Sequence, residues 1–323
     1  MNNYLVTGGA GFIGSNIVQA LVKRGERVKV IDNFVSGKKA NLRALLDKIE
    51  LIEGDIRDLP LLRKITKGVD YVLHQAALRS VPKSVKDPLL FNEVNIAGTL
   101  NVLLAAKEAA VKRVVFASSS SIYGKTNKFP EKENHLPFPI SPYAASKLAG
   151  EHYCHVFSKV YGLETVTLRY FNVFGPRQSL ESKYAVVVPK FILSMFAGQS
   201  PPVHGDGKQS RDFTYIDNVI QANILAVTVP GISGEVFNIA CGKEHTVLQL
   251  MAYLNKIVGK DIQPKFTSPR PGDVPRTIAD ISKAKKLLGL KIEVDFRQGL
   301  KKSVEWFEAH KEEYKDAYES SCI

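Results

Sequence analysis

The chain has 323 residues, 45% of them hydrophobic and 24% charged, enough for a sizeable core and about two domains. Its net charge of +12 raises the question of a nucleic-acid partner, but the lysines are scattered and no nucleic-acid module is present, so attraction of an anionic small molecule is the expected use of the charge. Three widely spaced cysteines build no disulfide framework, and neither a secretory signal nor an uninterrupted apolar run of membrane-spanning length is seen, so a cytoplasmic protein with no membrane partner is expected.

Short β-branched runs alternate with helical stretches through the first half. Residues 4–7, 27–31, 49–53, 71–74 and 113–117 are predicted as buried strands, with helices at 12–23, 59–66 and 92–110 between them. Alternation of this kind predicts a parallel, doubly wound α/β sheet. A further helix from residue 142 and a strand at 165–169 follow. Beyond Phe174, proline, glycine and longer irregular pieces separate predicted helices at 186–196, 217–227, 247–258, 282–288 and 296–310. This change of texture predicts a smaller, mixed α/β substrate domain at residues 176–323 after a nucleotide-binding domain at 1–175. A stretch at about 215–240, with a strand at 235–239, is expected to return to the first domain's sheet.

Gly8-Gly9-Ala10-Gly11-Phe12-Ile13-Gly14 stands between the first strand and the first helix. Gly8, Gly11 and Gly14 permit a tight turn, backbone approach to a diphosphate and close helix–strand packing, while Phe12 and Ile13 open the helix whose free N–H groups attract phosphate. Strand, loop and helix in this order predict a Rossmann-type dinucleotide site. Asp32 ends the second strand, 18 residues after Gly14, where a carboxylate holds both ribose hydroxyls and repels a 2′-phosphate. NAD is therefore the expected cofactor, with Asn33 beside the acid; Lys38 and Lys39 are the features that would favour NADP. Asp55 and Ile56 follow the third strand and are expected at the adenine, although Asp55 equally suits an N-cap. Gln75, Ala76 and Ala77 follow the fourth strand and are expected at the cofactor's back wall, because ligands bind at the carboxyl ends of such strands.

A serine run, Ser118 to Ser121, precedes Tyr143-Ala144-Ala145-Ser146-Lys147. Ser141 and Pro142 suit the N-cap and first helical position, which places Tyr143 in the first turn and Lys147 one turn later on the same face. An ammonium, a positive helix end and the positive charge of a bound nicotinamide together favour phenolate. Bringing a phenol from pKa near 10 to about 7 requires roughly 4 kcal/mol of preference for the anion. A tyrosine so tuned is a general base for an alcohol.

With the glycine loop, the serine run and Tyr-x-x-x-Lys in this order, the chain resembles the extended short-chain dehydrogenase/reductase superfamily. Arg169-Tyr170-Phe171-Asn172-Val173-Phe174-Gly175-Pro176 and Ser210-Arg211-Asp212-Phe213 extend the resemblance over nearly the whole length, and within the superfamily it is to nucleotide-sugar 4-epimerases. The resemblance implies that Tyr143, Lys147 and Ser119 are catalytic and that Tyr170 joins the cofactor site. It places Ser120, Ser121, Arg79, Ser80, Ser84 and Asn172 at the sugar. Arg211 and Arg270 become diphosphate clamps, Asp273 contacts the uridine ribose or orients Arg270, and Val188 borders the uracil or serves as helix core. A dehydratase would carry an acid pair where Ser120-Ser121-Ile122 stands. Thr277 occupies a position that is tyrosine in epimerases confined to unacetylated hexoses. The implied reaction interconverts UDP-GlcNAc and UDP-GalNAc, with UDP-glucose and UDP-galactose as further substrates; restriction to unacetylated sugars and uronate epimerisation or decarboxylation are the alternatives. The resemblance also implies a homodimer. His152, Cys154 and His155 lack further ligands at fitting spacing, so no metal is expected. A non-catalytic NAD-responsive scaffold would carry a broken Ser/Tyr/Lys set, which is intact here.

Overall fold

The computed structural model of the chain describes residues 1–179, 187–269 and 274–314. The runs rich in Val, Ile and Leu form seven strands: β1 (Asn3–Thr7), β2 (Arg27–Asp32), β3 (Ile49–Glu53), β4 (Tyr71–His74), β5 (Arg113–Ser119), β6 (Glu164–Tyr170) and β7 (Glu235–Ile239). They make one sheet in the order β3-β2-β1-β4-β5-β6-β7, and every neighbouring pair is parallel. Strand order reverses between β1 and β4, and this switch point opens the crevice in which such sheets bind ligands. The expected returning strand is the sheet's edge, with Glu235 opposite Val166 and Ile239 opposite Tyr170.

The longer helices are α1 (Phe12–Lys23), α2 (Leu59–Ile65), α3 (Pro88–Glu108), α4 (Pro142–Val160), α5 (Val187–Phe196), α6 (Ile216–Thr228), α7 (Val247–Val258) and α8 (Phe296–Ala309). Helix α3 starts four residues before the sequence expectation. Asp87 accepts the Leu90 N–H at 3.0 Å and Pro88 fills the first position, a start signal outside the periodic stretch; a π turn occupies Glu93–Ala97. With 21 residues and hydropathy of 1.4, α3 is long and apolar enough to cross a bilayer by length and composition, which corrects the expectation that no segment is. Polar Asn and Glu residues interrupt the apolar run, so counting consecutive residues misses it. Half of the stretch is buried within the fold, where α3 packs on α2 and α4.

In the second half, α5, α7 and α8 pack on one another, and α6 lies across α1, β5 and β6. Phe174, Phe213, Tyr215 and Phe296 form an aromatic cluster, with Phe213 and Phe296 stacked at 4.9 Å. These rings belong to the same continuous core as Val6, Ile17 and Val30 beside the glycine loop. The helix expected at 282–288 is a π turn, Ala284–Leu288, ended by left-handed Gly289.

Candidate active site

The glycine loop is shaped by contacts that exclude side chains. Gly8 has φ +67°, and a Cβ there would lie 2.7 Å from the Ala76 Cα; a Cβ on Gly14 would lie 2.2 Å from the Gly8 carbonyl oxygen. Backbone thus meets backbone at the start of α1, leaving the helix's first N–H groups facing a cavity of about 260 Å³. Every cofactor residue expected from the sequence borders this cavity except Asp55. Asp32 accepts the Ala10 and Phe34 N–H groups at 2.9 and 2.8 Å, which aims its carboxylate across the loop; burial raises its pKa against those two bonds. Lys39 turns away to Glu53 at 2.8 Å. A side-chain-free cradle, an acid at the end of β2 and the apolar Ile56 wall fit a dinucleotide carrying a free 2′-hydroxyl.

Asp55 departs from the expected adenine contact. Its carboxylate is taken by Arg57, at 3.0 and 2.9 Å, and by the Asn33 amide at 2.8 Å. The Arg57 hydrogen bonds hold it down to about 2. Asp55 therefore braces Asn33, which does border the cavity. Nor is it the helix cap, because Asp58 receives the Leu61 N–H at 2.9 Å.

Helix α4 begins as its sequence dictates: Ser141 accepts the Ala144 N–H at 3.1 Å and Pro142 takes the first position. Tyr143 and Lys147 both border the cavity. The Ser119 hydroxyl accepts the Ser121 N–H at 3.2 Å and lies near the Tyr143 phenol. Neighbouring Ser118 instead binds Glu151, so the two serines face different partners. Burial raises the Tyr143 pKa above its ordinary value, against the nearby Ser119 hydroxyl and the Arg79 charge. The Lys147 amine donates to the Ala117 carbonyl at 2.8 Å, and burial lowers its own pKa to about 8. Gln75, Tyr170 and Asn223 share a hydrogen-bond triangle behind this face, with Asn223 Nδ2 donating to Tyr170 Oη at 2.9 Å.

The expected sugar residues divide. Asn172 donates to the Thr277 hydroxyl at 3.0 Å, which brings together two expected sugar-site positions 105 apart. Arg79 borders the cavity. Ser121 carries a buried hydroxyl oxygen with no hydrogen-bond partner among the described residues. Ser120 opens a short turn with it. Ser80 instead caps the short helix Val81–Lys86, and Ser84, fully buried, donates to the Val81 carbonyl at 2.7 Å. Val188 is buried in the main core beside Phe191, so the helix-core alternative holds. Arg211 donates to the Ser210 carbonyl at 2.8 Å. Arg270 and Asp273 lie outside the described residues.

Beneath this wall sit two buried carboxyls. Asp212 accepts N–H groups from Cys241, Gly242 and Ala279 at 2.9, 2.9 and 3.2 Å, yet burial pushes it up to about 7. Glu131, whose backbone is tied to Ile278 and Asp280, has one carboxyl oxygen with no partner among the described residues. Burial and then the Asp212 charge push it up to about 8, against Arg211. A carboxyl whose folded pKa is raised contributes stability below its unfolded pKa that is lost as pH rises through the folded value. Glu131→Gln should therefore stabilise the protein more at pH 9 than at pH 5, by about 1–3 kcal/mol, the scale of an unsatisfied buried polar group. Urea unfolding at both pH values tests this, and an equal difference at the two would refute it.

Several cavity residues escaped the sequence reading: Arg57, Leu78, Val94, Arg177, Ser179 and Tyr314. Only Arg177, directly after the Gly175-Pro176 turn, had a local signal.

The sequence pattern of the NAD dependent epimerase/dehydratase family matches residues 4–240. Three solved structures are similar over most of their length. The UDP-N-acetylglucosamine 4-epimerase from Methanobrevibacter ruminantium M1, in complex with UDP-N-acetylmuramic acid, is 43% identical, with a TM-score of 0.92 over 96% of this chain and 99% of that one. The UDP-glucose 4-epimerase of Thermotoga maritima with UDP-glucose is 40% identical, with a TM-score of 0.91 over 96% and 99%. The UDP-glucose 4-epimerase of Thermus thermophilus in complex with NAD is 36% identical, with a TM-score of 0.87 over 95% and 99%. Glycine loop, acid at β2, and tyrosine and lysine at one cavity agree with that likeness. The chain belongs to the NAD dependent epimerase/dehydratase family and is an NAD-dependent enzyme.

Proposed function

We propose that the chain is a UDP-sugar 4-epimerase that interconverts UDP-GlcNAc and UDP-GalNAc, and also UDP-glucose and UDP-galactose, through a transient 4-keto sugar. NAD supplies the hydride acceptor when bound. Tyr143 takes the proton from the sugar 4-hydroxyl and returns it after the ketone has turned over, with the nearby Ser119 hydroxyl relaying it. The Arg79 charge favours the anionic phenol, and the unpartnered Ser121 hydroxyl is a contact for a sugar hydroxyl. The likeness to structures named as UDP-sugar 4-epimerases supports the reaction class.

The observation that carries the acetamido specificity is Thr277 itself. A small side chain, hydrogen-bonded to Asn172, stands where a tyrosine ring would take more room. The second reading, restriction to unacetylated hexoses, draws on the likeness to the two UDP-glucose 4-epimerases. Incubation of the full chain with each UDP-sugar and chromatography of the products separates the two readings. UDP-GalNAc formed from UDP-GlcNAc is expected, and formation of UDP-galactose alone would overturn the specificity. Thr277→Tyr should lower kcat/KM for the acetamido pair about 10–100-fold relative to the unacetylated pair, the range of a pocket-size mismatch.

A further inference from the structure

The turn after Phe174 runs through unusual backbone: Gly175 has φ +147° and Arg177 has φ +66°. A left-handed conformation costs a non-glycine residue about 1–3 kcal/mol, and such strain persists only where its surroundings hold it. Helix α1 holds it here. The Asn16 amide donates to the Pro176 carbonyl at 3.1 Å, and the Arg177 guanidinium donates to the Ser15 carbonyl at 3.1 Å and to Gln19 Oε1 at 2.8 Å.

Those bonds lay the guanidinium along the helix whose first turn is the glycine loop. Arg177 borders the same cavity as Gly11 and Phe12. Two of its five N–H donors are unequal to a desolvated charge, and among the described residues no carboxylate pairs with it. Burial lowers its pKa, as expected of a guanidinium sheltered from water without a counter-ion. Tyr314, at the end of the turn Lys311–Tyr314, borders the cavity too, braced by Trp306 and Phe307 with ring centroids at 5.9 and 5.2 Å.

A half-buried cation beside a helix N-terminus is complementary to a compact anion, and the dinucleotide that this cavity fits carries one at its centre. We infer that Arg177 is a cofactor-binding residue whose guanidinium pairs with the diphosphate of NAD at the glycine loop, with Tyr314 closing the cavity beside it. The inference rests on the family's use of NAD and is independent of which hexose is turned over.

Calorimetric titration of the full chain with NAD, ADP-ribose, adenosine and UDP tests it without reading activity. A charged hydrogen bond of about 1.5–3 kcal/mol corresponds to a weakening of about 10–100-fold. Arg177→Met should show that loss for NAD and ADP-ribose while adenosine and UDP stay within about 2-fold. Arg177→Lys, which keeps the charge but loses the fork, should lose less for ADP-ribose and nothing for adenosine. Equal weakening of adenosine and ADP-ribose would make the residue a structural staple of α1. A loss confined to UDP would assign it to the sugar nucleotide. Either result, or unchanged binding in both variants, overturns the inference; if the Met variant does not fold, the Lys variant alone decides by the ratio of ADP-ribose to adenosine affinity.

Discussion

Tyr143→Phe should lower kcat about 10²–10⁴-fold, the range of a lost general acid–base, with NAD affinity retained. The ring is kept, so packing at the start of α4 is preserved and only the oxygen is removed. No neighbour can substitute for it. Lys147 is committed to the Ala117 carbonyl, Arg79 cannot act as a base, and an unassisted serine hydroxyl is too weak a base to replace a phenol. Turnover of UDP-sugar by chromatography, beside calorimetry with NAD, gives both quantities. A loss smaller than tenfold would remove the phenol from the chemistry.

Arg169→Met should destabilise the protein by about 3–5 kcal/mol, because it strands a buried carboxylate. Both side chains of the Arg169–Glu151 pair are only 5% exposed. Arg169 binds Glu151 at 2.7 and 3.0 Å and donates to the Tyr123 hydroxyl at 2.8 Å, and that hydroxyl donates to Asn238 at 2.7 Å. Glu151 also binds Ser118, next to Ser119, and lies one turn beyond Lys147. Arg113–Glu164 is the comparison, since the Glu164 side chain is 48% exposed. Glu164→Gln should cost about 1 kcal/mol or less, because the buried Arg113 guanidinium it leaves behind keeps its bonds to the Ala226, Val227 and Val229 carbonyls, and the glutamine oxygen at this half-exposed position can still accept from it. Urea midpoints for the two variants decide the matter; equal costs would mean that burial does not set the value of these pairs. Glu151→Leu combined with Arg169→Met should recover much of the loss, as removal of both charges leaves neither unpaired.

What could be read in the sequence followed the range of the interaction. The glycine loop and the start of α4 are decided within a few residues by glycine sterics and by a Ser-Pro cap, and both match expectation. The meeting of Thr277 with Asn172 had no spacing signal. The Arg57 pairing of Asp55, two residues on, was not read from the motif. The burial of Ser84, and the choice between cavity wall and helix core for Val188, could not be read from polarity alone. Where the Lys147 amine points is likewise decided by the fold, which brings it to the Ala117 carbonyl. Arg177 reaches residue 15 through a strained turn, and Tyr314 reaches the cavity from the far end of the described chain; neither has a period or a motif.

The edge strand β7 has a further consequence for dividing this protein. A fragment ending at residue 175 would expose the outer edge of β6, whose pairing with Glu235–Ile239 lies sixty residues beyond the cut. The complementary fragment would carry α6 and an orphan strand with no partner of its own. Because one set of contiguous side chains runs from Val6 to Phe307, severing the backbone there would leave apolar surface bare on both pieces. Nucleotide recognition and sugar recognition are thus divisible in chemistry but interlaced in covalent order, and neither piece is expected to be a free-standing unit.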